Sequence, residues 1–293
     1  MKYLLRIIII ISIFAAQFPF AYSIHANEIN PVLKKLVKRL QSDGVDEKYL
    51  QDVFIRQELE FMPNVVAMSL VRKEAKLNYK QFLEKESVER AASYLETHSK
   101  TLKNAEDLFG VSAPVIVAIL SVETACGEHL GNFGIVNILI TQILSLEPEI
   151  YQRIYDYIPM EEKSKLIQHE IKKSLEKKSI RAYTELKALL AYVKEHNIDP
   201  FSVKGSTEGA IGLPQFLPSN IGIYGFDGNG DDKINLFEHE DAIASIASYL
   251  KAHNWRENNN PKMKRDIILK YNHSIYYAKT VLELAEKLAD YWP

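Results

Sequence analysis

Residues 112–125, SAPVIVAILSVETA, constrain the fold most, because they form a predicted helix with almost no polar face. Ser112 can cap this helix and Pro114 suits its first turn, and six of the next eight residues are large and aliphatic. A helix that is apolar on all sides has to be buried nearly all round. The segment therefore predicts a core large enough to enclose one helix.

Most of the remaining chain also shows helical periodicity. Only 12 Gly and 11 Pro are spread over the 293 residues. Several amphipathic helices are predicted in residues 28–110, where for example Val88, Ala91 and Leu95 recur at helical spacing. Residues 160–180 mix lysine with glutamate and predict a solvated helical segment. Further helices are predicted at 181–196, 240–253 and 275–291. We predict a mainly α protein.

Residues 1–23 have the features of a secretory signal. Two basic residues precede an apolar run, and the small residues Ala21 and Ser23 occupy cleavage positions. Export to the periplasm is therefore expected. The alternative is an uncleaved signal anchor, since residues 7–16 could be retained in the membrane.

Charge and cysteine content argue against a nucleic-acid-binding protein and against a lipoprotein. Removal of Lys2 and Arg6 changes the net charge from −2 to −4, so a field that attracts nucleic acid is not expected. The single cysteine, Cys126, cannot form an internal disulfide, and it lies far from the cleavage position. The sequence therefore does not predict a lipoprotein.

The segment GFDGNGDDKINLFEHED, residues 225–241, follows the spacing of a calcium-binding loop. Asp232 occupies the sixth position, where glycine is usual, and aspartate tolerates a left-handed backbone better than most residues. We expect a structural Ca²⁺; the alternative is an acidic turn with hydrated carboxylates. The predicted ligands are Asp227, Asn229, Asp231, the Lys233 carbonyl and Glu238, with Asp241 as a rival to Glu238.

Glu123 lies at the end of the apolar helix. Aliphatic neighbours would remove its hydration, favour its protonated form and raise its pKa toward neutrality, as a general acid at a glycosidic oxygen requires. A helix-terminal glutamate that faces solvent fits the residues equally well. Glu128 is a second acid close by, beyond Gly127.

Four segments resemble, in order, the motifs of the membrane-bound lytic transglycosylase B family, a peptidoglycan-cleaving group with a lysozyme-like core. They are VSAPVIVAILSVETACG, KGSTEGAIGLPQFLPS, DGNGDDKINLFEHEDAIASIASYLKAHNW and YNHSIYYAKTV. The likeness extends from about residue 50 to 290. It implies a helix-dominated, lysozyme-like α+β core with an EF-hand-like calcium loop and flanking helices.

The resemblance also suggests a division of the chain into regions. We expect a signal peptide (1–23), an N-terminal helical region (24–110), a catalytic core (111–255) and C-terminal helices that complete the cleft (256–293). Within the core we expect a charged helical excursion at 151–196 and the calcium loop at 227–241.

The resemblance implies a single catalytic acid/base, Glu123. It would cleave the bond between N-acetylmuramic acid and N-acetylglucosamine without water and leave a 1,6-anhydro ring. The saccharide-binding residues implied by the motifs are Ser206, Gln215, Phe216, Tyr249, Tyr271, Asn272 and Tyr277. Gly209 and Gly212 are expected to let the backbone approach the sugar, and Phe216 to cover an apolar sugar face. The expected partners are peptidoglycan strands and other cell-wall enzymes, with the chain itself a monomer.

Two departures from the family pattern affect the cleft. Cys126 follows Glu123 where a bulkier residue is common, and residues 144–152 lack an arginine pair that some members place against substrate. Cys126 is interpreted as a small buried residue; a reactive thiol is the alternative.

Two other functions compete with this prediction. The first is a hydrolytic muramidase in which Glu128 or another acid activates water. The second is an inactive peptidoglycan-binding protein stabilised by calcium.

Overall fold

A computed structural model describes residues 29–72 and 77–293; the predicted signal peptide lies outside the described residues. Within those ranges the chain forms fourteen α-helices, so the mainly α prediction is confirmed. The helices are α1 (Pro31–Ser42), α2 (Glu47–Phe54), α3 (Pro63–Val71), α4 (Lys85–Thr97), α5 (Ser99–Phe109), α6 (Ala113–Thr124), α7 (Ile135–Ile143), α8 (Pro148–Tyr157), α9 (Met160–Lys163), α10 (Gln168–Glu195), α11 (Pro218–Tyr224), α12 (His239–Ala252), α13 (Pro261–Tyr271) and α14 (Ile275–Leu288). Two 3-10 helices, Tyr79–Leu83 and Ala289–Tyr291, complete the helical content of this part.

Helix α6 is the centre of the molecule. It packs against α4, α5, α12 and α14, and ten of its twelve residues are buried. Pro114 lies in its first turn as predicted, but the Ser112 side chain makes no capping hydrogen bond. The backbone N–H of Ser112 instead donates to the Glu257 carboxylate at 2.9 Å.

The end of α6 explains why Glu123 lies at a surface. Ala125 and Cys126 have left-handed backbones with φ of 51° and 62°, which stop the helix directly after Thr124. The backbone N–H groups of these two residues donate to the carbonyls of Ser121 and Leu120. The last turn of a buried helix thus emerges from the core at the catalytic candidate.

The helix boundaries within residues 160–196 differ from those predicted. The predicted helices 160–180 and 181–196 are mostly one helix, the 28-residue α10, because neither Gly nor Pro interrupts residues 168–195. Its first half is not fully solvated, since Ile171 and Leu175 are buried. Helix α10 packs along α7 and α11.

A small sheet beside α7 and α10 carries the polar loop of residues 204–220. Strands β1 (Phe133–Gly134) and β2 (Lys204–Gly205) pair antiparallel. Isolated bridges from Ile211 to Gly205 and to Phe216 extend this pairing through the loop. The loop backbone is therefore held at three positions over the end of α6.

One hydrophobic cluster joins residues from α1 to α14, so the helices on both sides of α6 share a core. No single helix of the described residues has the length and apolar composition needed to cross a membrane. The bent pair α5 and α6 meets those two criteria only when its helices are taken together.

Candidate active site

A cleft of about 650 Å³ opens at the end of α6. It brings together six of the eight residues predicted to act on or bind the sugar: Glu123, Ser206, Gln215, Tyr271, Asn272 and Tyr277. These residues come from the end of α6, the polar loop, the end of α13 (Tyr271), the segment after it (Asn272) and the first turn of α14 (Tyr277). The predicted residues thus converge from positions up to 154 apart in sequence, Glu123 to Tyr277.

The Glu123 carboxyl lies beside the buried Tyr277 and the half-buried Tyr271. Burial raises the pKa of Tyr271 and of Tyr277 well above the ordinary value, and the charge of Glu123 raises both further. A hydrogen bond between Tyr277 and Glu123 contributes to the shift, and the Tyr277 hydroxyl has no other partner among the described residues. The Tyr271 hydroxyl donates to the Pro214 carbonyl at 2.5 Å. Both phenols therefore stay neutral; the Tyr277 hydroxyl can donate to the Glu123 carboxyl, whereas the proton of Tyr271 is already donated to Pro214.

Ser206 and Gln215 form the wall contributed by the polar loop. The Ser206 hydroxyl accepts hydrogen bonds from the backbone N–H groups of Glu208 and Ala210, at 3.3 and 3.1 Å. Gln215 has a left-handed backbone with φ of 49°, and its side-chain amide donates to the Gly212 and Leu130 carbonyls. A non-glycine residue in this conformation at a cleft is typical of a functional position.

Phe216 and Tyr249 do not line the cleft. Phe216 is 2% exposed and its ring packs against both Tyr249 and Tyr271, at centroid distances of 5.7 and 5.8 Å. The Tyr249 hydroxyl donates to the Lys270 carbonyl at 2.7 Å. The two rings form a second layer that supports Tyr271, so the expectation that Phe216 covers a sugar face is corrected.

The expected role of the loop glycines is also corrected. Both have left-handed backbones, with φ of 91° at Gly209 and 72° at Gly212. A Cβ on Gly209 would lie 3.0 Å from the Leu139 side chain, and one on Gly212 would lie 2.5 Å from the Leu236 carbonyl. The close approaches are therefore to the protein itself, and the glycines let the loop pack rather than admit a sugar.

Glu208 is a second carboxyl group of the cleft, which the sequence analysis missed. It pairs with Lys178 at 2.7 Å and with Arg181 at 2.5 Å. Burial disfavours its charged form, but the two cations lower its pKa below the ordinary glutamate value. Its partners lie on α10, about 30 residues away in sequence, so no local motif could have indicated the pairing.

The N-terminal region supplies one end of the cleft, and the sequence analysis did not predict this contribution. Ser69, Arg72, Leu77, Asn78, Tyr79, Gln81 and Phe82 line it. Arg72 brings a positive charge from a segment other than residues 144–152, where the arginine pair is lacking. These residues carry no recognisable spacing, because a 3-10 helix and its flanks present them.

The second acid considered in the sequence, Glu128, lies outside the cleft. Its side chain is 56% exposed and pairs with Arg90 at 3.8 Å. Burial raises the pKa of the neighbouring Cys126 to about 12, so its thiol stays protonated. This favours a small buried residue over a reactive thiol.

The acidic loop has the backbone that its spacing predicts. The Asp227 carboxylate lies inside the turn and accepts hydrogen bonds from the backbone N–H groups of residues 230–232, at 2.6 to 3.3 Å. Desolvation opposes its charge, but these hydrogen bonds lower the pKa of Asp227. Asp232 has a φ of 65°, the left-handed conformation usual for glycine at that position. Glu238 reaches across the loop to the Asn229 amide at 3.0 Å.

Asp241 is arranged as a support of this loop. Its two carboxylate oxygens accept hydrogen bonds from the backbone N–H groups of Gly228 and Asn235, at 2.9 and 2.6 Å, and the residue is fully buried. Each oxygen keeps a lone pair beyond these hydrogen bonds, so Glu238 and Asp241 both stay predicted closing ligands of the loop. Within residues 29–72 and 77–293 no group of three or more His, Cys, Asp or Glu side chains is close enough to hold a metal ion.

Fold and cleft together define a helical domain with a carboxyl group in a polar cleft, and comparison with known proteins identifies the family. Residues 28–267 match the family model described as "Transglycosylase SLT domain", and the chain belongs to this family. The predicted family relationship is thus confirmed. A curated relative, the membrane-bound lytic murein transglycosylase B of Escherichia coli K12, is 29% identical over 238 residues. That match covers 77% of this chain and 58% of the relative's length.

Solved structures show the same fold. The Escherichia coli lytic transglycosylase SLT35 in complex with calcium matches with a TM-score of 0.70 and 22% identity, over 89% of this chain and 93% of that one. SltB3 from Pseudomonas aeruginosa, in complex with NAG-NAM-pentapeptide, matches with a TM-score of 0.68 and 19% identity, over 86% and 77%. The same protein has been solved with NAG-anhNAM-pentapeptide. The expected helix-dominated, lysozyme-like fold is confirmed.

Proposed function

We propose that this chain is a lytic transglycosylase that cleaves the β-1,4 bond between N-acetylmuramic acid and N-acetylglucosamine in peptidoglycan. One observation carries the proposal. Glu123, at the end of the buried helix α6, shares one cleft with the five other motif residues that line it. The relatives point to the same substrate, since SltB3 binds NAG-NAM-pentapeptide and the product-like NAG-anhNAM-pentapeptide.

The proposed mechanism uses Glu123 twice. Its protonated carboxyl donates a proton to the bridging oxygen while the bond from that oxygen to C1 of the muramic acid breaks. The substrate's N-acetyl oxygen stabilises the positive charge at C1. The Glu123 carboxylate then removes the proton of the muramic acid 6-hydroxyl, whose oxygen bonds to C1. The acid is regenerated, no water is consumed, and a 1,6-anhydro end is left.

Glu208 argues against the hydrolytic alternative. An inverting hydrolase needs a second carboxylate that activates water, and a retaining one needs a second carboxylate as nucleophile. Among the described residues, Glu208 is the other carboxyl group that lines the cleft, and Lys178 and Arg181 hold it in ion pairs. A carboxylate held by two cations is a weak base and a weak nucleophile. Glu128 lies outside the cleft.

The decisive experiment is digestion of purified peptidoglycan, followed by mass spectrometry of the product ends. We expect anhydro ends, lighter than the hydrolytic product by one water and without a reducing end. Glu123→Gln should lower the rate by about 100-fold or more without unfolding the chain. The control Glu128→Gln should keep the rate. Reducing ends would favour the muramidase, and no cleavage by the unaltered chain would favour the binding protein.

We also propose that the acidic loop holds a structural Ca²⁺. The turn around Asp227, the left-handed Asp232 and the reach of Glu238 across the loop fit a calcium loop. The SLT35 relative was crystallised with calcium. Asp227, Asn229, Asp231 and the Lys233 carbonyl would bind the ion, with Glu238 or Asp241 closing its coordination shell. It would stabilise the loop and take no part in bond cleavage.

The cellular setting follows from the reaction and the N-terminus. We propose an exported protein that acts in the periplasm on peptidoglycan strands, with no lipid on Cys126 and no role for nucleic acid. The relative from Escherichia coli is named as membrane-bound, and an uncleaved signal would produce the same attachment here. Monomeric state and association with other cell-wall enzymes remain predictions.

A further inference from the structure

An aromatic strip leads out of the cleft at its N-terminal end. Tyr79 and Phe82 line the cleft, and their ring centroids are 6.3 Å apart. Tyr276 does not line the cleft, but its ring stacks on that of Tyr79 at 6.4 Å and an interplanar angle of 14°. The three rings therefore continue the cleft wall onto the outer surface.

The first turn of α14 places Tyr276 on that surface. Ser274 accepts a hydrogen bond from the Tyr277 backbone N–H and so caps the helix. Successive helical residues point in directions about 100° apart. Tyr277 is consequently buried at the cleft floor, while Tyr276 and Ile275 are 55% and 68% exposed. The first turn of α14 thus supplies Tyr277 to the cleft and the exposed ring of Tyr276 to the surface beyond it.

We propose that Tyr276, together with Tyr79, forms an outer saccharide subsite that binds a sugar unit of the glycan beyond the scissile bond. This inference rests on the proposed function, because a polymeric substrate has to continue past the cleft. The exposed Tyr276 ring, nearly parallel to the half-buried Tyr79 ring, offers an apolar surface with a hydroxyl group at its edge. That surface matches the apolar face and the polar rim of a pyranose ring.

The subsite would act on long substrates only. We assign the subsite uniform binding: a remote sugar held equally in the ground and transition states lowers KM and leaves kcat at Glu123 unchanged. Tyr276 is thus a specificity-determining residue for glycan length and not a catalytic residue. It would favour cleavage within strands over cleavage of short fragments.

The test compares Tyr276→Ala with Tyr276→Phe, which keeps the ring. The control is Tyr291→Ala, which removes an equally exposed tyrosine, 56%, that does not line the cleft. Substrates are long glycan strands stripped of peptides and a tetrasaccharide of the same repeat. We expect Tyr276→Ala to lower kcat/KM on long strands about 2- to 10-fold, mostly through KM, and to leave the tetrasaccharide unchanged. Tyr291→Ala should behave like the unaltered chain, and Tyr276→Phe, which keeps the ring and loses its hydroxyl, should keep most of the kcat/KM on long strands.

Three outcomes would overturn the subsite. Equal loss on both substrates would mean that Tyr276 only positions Tyr79, and no loss on either would mean that no sugar binds there. Loss confined to strands that carry peptides would assign the strip to peptide recognition. A binding measurement separates this inference from the proposed function, because binding requires no cleavage. It compares the affinity of Glu123→Gln for long stripped strands with that of the double variant Glu123→Gln, Tyr276→Ala. If Tyr276→Ala weakens that binding while Glu123→Gln still cleaves, the reaction proposal fails and the subsite stands.

Discussion

The cleft floor and the acidic loop position their oxygen atoms in different ways. Glu123 owes its place to the buried helix α6 and to tyrosines that arrive from the end of α13 and the first turn of α14. The carboxylate of Asp227 is held by backbone N–H groups only three to five residues away. The first arrangement depends on the whole core, whereas the second is largely contained in one turn.

The two regions nevertheless share a contact. The backbone N–H of Leu213, in the polar loop, donates to the Leu236 carbonyl at 2.9 Å, near the end of the acidic loop. Gly212 packs against the same carbonyl. A change in one loop can therefore shift the other, and the following predictions probe how independent the two regions are.

The largest effect on stability is expected from Gly212→Ala. The new Cβ would lie 2.5 Å from the Leu236 carbonyl on a backbone with φ of 72°. Left-handed strain and overpacking together should lower the free energy of unfolding by about 2 to 5 kcal/mol. Urea titration measures this, and Gly222→Ala is the control, because a Cβ at Gly222 meets nothing within 4 Å. Equal stability of the two variants would mean that the loops are not in contact in solution.

A somewhat smaller effect is expected from Asp241→Ala. This change leaves the backbone N–H groups of Gly228 and Asn235 without their acceptors in a buried site. The free energy of unfolding should fall by about 2 to 4 kcal/mol, measured by urea titration without calcium. Asp231→Ala, at an exposed position, should cost much less. Similar costs for the two would show that Asp241 does not support the loop.

Calcium should stabilise the acidic loop and leave the reaction almost unaffected. At about 100 times the dissociation constant the ion would add about 2.7 kcal/mol to the free energy of unfolding. We expect a chelator to lower Tm, and Glu238→Gln to reduce that response, with little change in the rate of peptidoglycan cleavage below Tm. An identical Tm with calcium and with chelator would contradict the calcium proposal. Magnesium serves as the control ion, since it suits this loop less well.

The smallest effect concerns Glu208 and pH. The pKa of Glu208 is lower in the folded chain than the ordinary value of 4.5. Its ionised form therefore stabilises the fold fully above pH 4.5, and this contribution disappears as pH falls through the folded-state pKa. The difference in Tm between the unaltered chain and Glu208→Gln should be constant near neutral pH and shrink below 4.5. A difference that is unchanged at acidic pH would mean that Lys178 and Arg181 do not interact with the charge.

What the sequence could predict depended on how local each feature is. The buried helix α6 and the turn of the acidic loop were predictable, because each depends on consecutive residues. The helix shows a continuous apolar run, and the loop shows oxygen-bearing side chains at fixed spacing. The cleft residues Ser206, Gln215 and Tyr277 could be proposed only through the family resemblance. Their meeting with Glu123 depends on how distant helices pack.

The features that were missed depend on packing between distant segments. Glu208 meets Lys178 and Arg181 only because the polar loop lies against α10. Phe216 belongs to a recognisable motif, yet the motif does not say which of its side chains faces the core. The end of the cleft near Tyr79 comes from a 3-10 helix without an amphipathic repeat, so the residues there carried no detectable signal.

Helix α10 contacts the polar loop, helix α11 and the acidic loop at successive positions along its length. Its Lys178 contacts the polar loop at Glu208, Glu185 accepts hydrogen bonds from Ser219 at the start of α11, and Tyr192 donates to the Ile234 carbonyl in the acidic loop. Lys178 and Tyr192 are therefore about 21 Å apart along the helix axis. One extra residue between them would rotate Glu185 or Tyr192 by about 100° relative to Lys178. An insertion or deletion in this part of α10 would therefore break at least one of the three contacts.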